Sequence, residues 1–305
     1  MAKSLRRAAL CALLAALFLL QGACGAPEDA EGTLPARPER VVALTSSLAD
    51  LWFSAGGKLV ATTSDLAERD LDWDTESLPV VGGAVYINEE LILAEEPDLV
   101  LLSPTIPTHV QLAEALRAAN IPFVRAKADS FDEYLALLEQ FTALTGRADL
   151  YETNGLAQQT RIEALLARVP QIPQERRPSY LLLRASSSEV KAIAGGHTVC
   201  TIAEDLGAVG AADSENAVFK ELSLEGVLAL DPDYIFVVIL GADTEAAAAA
   251  LNRTLTAGPL WGRLKAVQTG RFAVLPKELF HFKPNRRWGD AYEELGKILY
   301  PDIFG

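Results

Sequence analysis

Glu90-Leu91-Ile92-Leu93-Ala94-Glu95-Glu96-Pro97-Asp98-Leu99-Val100 recurs 135 residues further on as Glu225-Gly226-Val227-Leu228-Ala229-Leu230-Asp231-Pro232-Asp233-Tyr234-Ile235. In each copy a glutamate opens a short helix, Pro-Asp ends it, and a buried strand follows. Proline cannot continue a helix, and the residue before it is driven out of the helical region. The phrase therefore reads as helix, turn, strand in both places. Two such phrases predict two similar α/β lobes.

The surrounding sequence extends the pattern. Val41-Val42-Ala43-Leu44 is a short apolar strand running into Thr45-Ser46-Ser47, hydroxyl residues suited to cap a helix from about Leu48 to Ala55. Lys58–Thr62, Leu99–Leu102 and Pro122–Arg125 read as further strands, with a helix over Val110–Ala119. Strand signals then stop. From Ser130 to Val169 apolar residues recur at helical spacing, interrupted at Gly146, and Pro170, Pro173 and Pro178 mark a boundary. The second helical run, Asp149–Val169, spans about 30 Å at ~1.5 Å per residue, enough to join two lobes. Tyr180–Leu183 with Ser186-Ser187-Ser188 echoes the first strand and its hydroxyl turn. The expected fold is α/β: two similar lobes, each a mainly parallel sheet flanked by helices, joined by one long linker helix with a cleft between them. The expected divisions are residues 1–23, 24–37, 38–130 (N-terminal lobe), 131–170 (helical linker) and 171–305 (C-terminal lobe).

The first 23 residues are an address. Lys3, Arg6 and Arg7 precede an apolar run from Ala8 to Leu20, and Gln21-Gly22-Ala23-Cys24 follows. This is the make-up of an export signal. Cys24 makes it similar to a bacterial lipoprotein signal, cleaved before the cysteine that is then lipidated, although Gln21 stands where Leu is usual. Residues 25–37 are polar and rich in breakers and read as a flexible tether. Losing Lys3, Arg6 and Arg7 with the signal moves the formal charge from −14 to −17. Such an acidic chain is not built to neutralise phosphates, so no nucleic-acid partner is expected. Three cysteines are too few for a disulfide scaffold, and Cys200 reads as a small buried apolar residue.

Ligands of open α/β sheets meet the loops beyond the carboxyl ends of strands. Those loops carry Ser46, Tyr86 and Lys127 in the first lobe, and Arg184, His197 and the segment Phe280-His281-Phe282-Lys283-Pro284-Asn285-Arg286-Arg287-Trp288 in the second. Interleaved aromatics and cations suit a large, partly aromatic anion, with flat faces for contact and guanidinium forks for oxygens. His281, Arg286, Arg287 and Trp288 are the candidates within it. A snorkelling loop with its aromatics in the core is the other reading.

Pro38–Ser47, the glycine pair Gly82-Gly83 before the first repeated phrase, Ile202–Ala208 and Phe282–Tyr300 together resemble the periplasmic binding proteins that serve ABC importers of iron-siderophores, haem and cobalamin. The likeness covers residues 38–301, nearly the whole exported chain. It implies two lobes bridged by a rigid helix, a ligand in the cleft and little lobe movement. It also implies a glutamate on each lobe, Glu90 and Glu225, docking on arginines of a permease, with ATPase subunits beyond it. The cargo expected is a small-molecule iron chelate, siderophore or haem, carried by a monomer anchored outside the cell membrane through Cys24. No catalysis and no resident cofactor are implied. Cobalamin is the alternative cargo. His109, His197 and His281 keep a second alternative open, a free zinc or manganese ion held with a carboxylate. An enzyme on the same scaffold is a third, against which stands the absence from the sequence of a Gly-x-Ser-x-Gly elbow, a Walker loop and His-Glu-x-x-His.

Overall fold

The computed structural model describes residues 30–170, 173–211 and 221–305. The export signal expected at 1–23 and the expected lipidation site Cys24 lie outside them.

The N-terminal lobe runs β1 (Ala30–Glu31), β2 (Val41–Ala43), α1 (Ser46–Ser54), β3 (Ala61–Thr62), α2 (Glu89–Ala94), β4 (Leu99–Leu102), α3 (Pro107–Ala118), β5 (Phe123–Arg125) and α4 (Phe131–Thr145). Its sheet has the order β1-β5-β4-β2-β3, parallel except for β1. The C-terminal lobe runs from β6 (Ser179–Ala185), β7 (Val190–Ile193), α7 (Thr198–Asp205), β8 (Val209–Gly210) and α8 (Leu224–Leu230) to β9 (Tyr234–Ile239), α9 (Thr244–Leu251), β10 (Phe272–Val274) and α10 (Trp288–Leu299). Here the order is β10-β9-β6-β7, with β8 on the start of β6.

The repeated phrase is repeated in atomic detail. Asn88 caps α2 by accepting from the Leu91 N–H at 3.2 Å, and Ser223 caps α8 by accepting from that of Gly226 at 3.1 Å. Glu90 and Glu225 each stand two residues past their cap, exposed. Glu96 (φ 46°) and Asp231 (φ 38°) turn the chain in the left-handed region. Each proline then restarts the chain in a strand. The Asp98 carboxylate accepts the N–H groups of Glu39 (2.7 Å) and Arg40 (2.9 Å) beside β2. Asp233 accepts the Ser179 N–H at 2.8 Å at the head of β6. The phrase is therefore a device for starting two neighbouring parallel strands in register.

Sequence and structure differ in two places, the tether and the linker. The tether expected over 24–37 is in part a strand, because Ala30–Glu31 pairs antiparallel with β5 and Glu31 reaches both Arg117 and Arg125. The hydroxyl turn expected after β6 is present and leads into a hairpin with β7, since Ser186 accepts the Glu189 N–H and closes the turn. The linker 131–170 is two unlike pieces. The first, α4, ends at Gly146 (φ 73°) and lies against α1 through the edge-on contact of Trp52 with Phe141.

The rod proper is α5 (Ala148–Tyr151), a π-turn (Glu152–Leu156) and α6 (Ala157–Leu166). The π-turn brings Gly155 so near α4 that an added Cβ would lie 2.8 Å from Leu135 Cδ1. It also lets Asn154 donate to the Ser54 carbonyl at 2.8 Å while its own carbonyl accepts from Tyr134 Oη at 2.9 Å. At the far end Arg161 reaches Asp290 and Glu293 of α10, each at 2.6 Å. One apolar cluster runs without a break from Val41 and Leu99 through Trp52, Phe141, Tyr134 and Trp288 to Tyr180 and Phe236. The two sheets thus share a core along the rod, which resists hinge motion because interiors are close-packed.

Candidate functional site

The loop from Phe280 to Trp288 is a wedge between the lobes. Lys283 (φ 70°) and Asn285 (φ 47°) flank Pro284 in the left-handed region, a strain that L-residues adopt only where surroundings enforce it. The reward is contact with the start of α1. Asn285 donates its amide to Asp50 Oδ2 at 2.7 Å and to the Ser47 carbonyl at 3.0 Å. Arg69 holds the same Asp50 oxygen at 3.0 Å, both side chains being only 4% exposed, and also donates to the Phe282 carbonyl at 3.2 Å. Trp73 Nε1 donates to the other Asp50 oxygen at 3.2 Å. Ser47 Oγ bonds the Phe282 carbonyl, Lys277 pairs with Glu68 at 2.7 Å, and Lys283 pairs with Asp129. Burial lowers the Arg69 pKa, and the facing carboxylates of Asp50 and Glu278 oppose that. Breaking such a buried pair by removing one partner costs about 3–5 kcal/mol.

This arrangement corrects the open cation-and-aromatic surface expected of the loop. Trp288 is fully buried, edge-on to Phe131 with centroids 5.9 Å apart and 6.4 Å from Tyr292. Arg286 pairs with Asp72 at 2.6 Å over the Trp73 ring, and Arg287 pairs with Asp290 at 2.9 Å. Lys127 is engaged with Asp129 at 3.0 Å. Ser46 is buried at the head of α1, its N–H donating to Asp65 Oδ2 at 2.8 Å. His109 is fully buried with both ring nitrogens committed to backbone, so the three histidines do not form one metal centre. Among the described residues no group of three or more His, Cys, Asp or Glu side chains could hold a metal ion.

A smaller constellation stands in their place. His197 and His281 come within electrostatic reach of one another, and of Lys283. Arg184 is near His197, on the face of β6 that carries Tyr180 and Leu182. Among the described residues no carboxylate pairs with Arg184. Burial first, then neighbouring cations, press His197 down to about 3 and His281 to about 4, so both rings are neutral at pH 7. Their roles separate by hydrogen bonding. His197 Nδ1 accepts the Val199 N–H at 3.2 Å, which puts the ring proton on Nε2 and makes that nitrogen a donor. His281 lies on the Phe282 ring at 4.7 Å and keeps its nitrogens free of hydrogen bonds among the described residues. A neutral imidazole with a free lone pair is a metal ligand.

Across from this wall, Asp65 lies within the field of both His281 and His109. His109 holds the hairpin that carries Tyr86, which is 83% exposed. The constellation therefore offers an imidazole lone pair, a hydrogen-bond donor and a guanidinium that no carboxylate of the described residues pairs with. Of the residues expected from sequence, it unites His197, His281 and Arg184, while Tyr86 belongs to the other lobe. Asp50, Arg69 and Asn285 were missed. Asp50 was the available signal, a carboxylate inside the apolar run Leu48-Ala49-Asp50-Leu51-Trp52 that burial obliges to find a cation.

The family model for periplasmic binding proteins matches residues 41–279. Solved structures superpose over most of the chain. Staphylococcus aureus IsdE complexed with haem has a TM-score of 0.73 at 16% identity, covering 86% of this chain and 99% of that one. A periplasmic haem-binding protein from Pseudomonas aeruginosa gives 0.70 at 22%, covering 87% and 94%. The periplasmic vitamin B12-binding protein BtuF of Vibrio cholerae gives 0.70 at 22%, covering 87% and 98%. At these identities the likeness is one of fold. No curated protein sequence matches the chain.

Proposed function

The chain belongs to the periplasmic binding protein family, and from that premise we propose that it captures an iron chelate, haem or a ferric siderophore, and delivers it to an ABC import permease. The observation that carries this reading is the wall of His281, His197 and Arg184, two uncharged imidazoles and a guanidinium without a carboxylate partner among the described residues. A bare transition ion wants three or four protein ligands. A chelate brings most of its own and needs one axial nitrogen, a cation for its carboxylate or catecholate oxygens, and a flat apolar surface. His281, Arg184 and Tyr86 fill those three needs, and His197 Nε2 donates to a second oxygen. The cargo leaves chemically as it entered.

Delivery rests on Glu90 and Glu225. They occupy the same turn of matching helices on two lobes that share a core, so their spacing is fixed by the body of the protein. Two fixed, exposed acids orient an encounter with a cationic partner and speed it. No helix of the described residues is long and apolar enough to cross a membrane. The basic and apolar start of the sequence and Cys24 supply export and a lipid anchor in this reading.

Titration with haemin, followed by the Soret band, is the direct test. The parent chain binds with micromolar or tighter affinity. His281→Ala shifts the band and weakens binding about tenfold, and Arg184→Ala weakens it about as much without moving the band. If haemin, ferric siderophores and cobalamin all leave the melting temperature unchanged, the proposal is wrong, because a ligand at a hundred times its Kd stabilises by about 2.7 kcal/mol. Cobalamin binding in place of haemin would keep the importer role and replace the cargo.

A further inference from the structure

The hairpin Gly82–Ile87 carries Tyr86, the most exposed large hydrophobic side chain of the described residues. Val85 and Tyr86 are 51% and 83% exposed. The hairpin closes on itself through the Gly83 N–H to the Tyr86 carbonyl (3.1 Å) and the Tyr86 N–H to the Gly83 carbonyl (3.0 Å). Gly82 has φ 114°, and a Cβ there would lie 2.5 Å from the Tyr86 carbonyl oxygen, so this turn is open to glycine alone. Ile87 at its base packs on an apolar cluster of the first lobe, and the other ties to the lobe are polar. Ser64 N–H donates to the Gly82 carbonyl at 2.9 Å, Thr108 Oγ1 to that of Val85 at 2.9 Å, and His109 Nε2 to that of Ala84 at 2.8 Å.

His109 differs from the other two anchors, because its ring is fully buried and bridges two loops. The Ser103 N–H, just past β4, can only donate, so Nδ1 accepts it at 3.0 Å. The Ala84 carbonyl can only accept, so Nε2 carries the proton. The tautomer is fixed from both sides, and the ring is a rigid spacer between a strand end and the hairpin tip. We propose that His109 is a positioning residue that sets where Tyr86 stands over the cargo by spacing the hairpin from the loop after β4. The inference rests on the reading of Tyr86 as a cargo contact. Burial lowers the His109 pKa, in keeping with a neutral ring.

Substitutions can split the two ties. His109→Gln keeps a donor at the place of Nε2 and loses the acceptor. His109→Asn keeps an acceptor at the place of Nδ1 and loses the donor, and His109→Ala loses both. Two measurements on the full chain separate this inference from the cargo reading. The first is amide exchange of Gly83 and Tyr86 without ligand, which rises about tenfold in Ala and Asn and stays within about threefold in Gln. The second is the haemin Kd on parent and Tyr86→Ala backgrounds. On the parent background Ala and Asn weaken haemin about as much as Tyr86→Ala does, about tenfold, and Gln changes it less than threefold. On the Tyr86→Ala background none of the three weakens it further. A His109 residue that merely fills the core would lower the melting temperature yet leave exchange and the Gln–Asn split absent, and that result overturns the inference. Equal loss on both backgrounds also overturns it. Altered exchange in a chain that binds no haemin refutes the cargo reading and leaves the spacer standing.

Discussion

The two lobes are the same at their strand starts and different at their strand ends. At the starts, α2 and α8 carry the same cap, the same exposed acid, the same left-handed turn and the same aspartate clasping a neighbouring strand. At the ends, the first lobe projects the Tyr86 hairpin, while the second adds β7 and the wedge Phe280–Trp288. A scaffold with two ends that answer to different demands shows this pattern. One end must present matched features to a partner; the other must enclose an object that has no such symmetry.

The comparison breaks first at the shared core. Trp288 belongs to the second lobe by sequence and packs on Phe131 and Tyr134 of the first, so Trp288→Ala is expected to cost about 3–5 kcal/mol by urea denaturation. A single transition for both lobes confirms joint packing; two separate transitions would show that each sheet stands alone. Next in size is the pair of acids. Glu90→Ala and Glu225→Ala should each reduce cargo uptake about tenfold, the double variant about a hundredfold, with stability within ~0.5 kcal/mol of the parent. Loss from one lobe only would end the equivalence. The clasping aspartates come third. Asp98→Ala and Asp233→Ala are each expected to cost about 1–2 kcal/mol, slightly more at Asp233, which also pairs with Lys265. Denaturant midpoints measure both.

A pH dependence sharpens the contrast at the strand ends. His197 and His281 lie in the second lobe, with pKa values of about 3 and 4 when folded, against about 6.5 in an unfolded chain. The unfolded state therefore binds more protons below pH 6.5, and stability falls as the pH is lowered from there through the folded values. The melting temperature should decline between pH 6.5 and 4. The decline should flatten in His197→Asn, whose side chain still caps α7. A slope unchanged by that substitution would show that the acid sensitivity lies elsewhere.

Much of the duplicated end was legible in the sequence, because its signals are local. Proline, a polar cap and an apolar run fix a helix, a turn and a strand within eleven residues. The strand ends were less legible. His197 and His281 stood out as rare residues in loops, yet nothing local separates His281 from Trp288, seven residues on and fully buried. Which of them faces the crevice depends on the left-handed turns at Lys283 and Asn285, enforced by Asp50 some 235 residues away in sequence. His109 misled for a similar reason. A histidine after a strand reads as a ligand until the backbone groups that consume both nitrogens are known.

The short pairing of Ala30–Glu31 with β5 has a consequence for how molecules of this chain keep apart. Without it β5 would border the first sheet with its backbone groups unpaired, a template on which another copy could add a strand. Two residues laid antiparallel, with Glu31 gripped by two arginines, act as a selvedge that stops the weave from continuing into a neighbour.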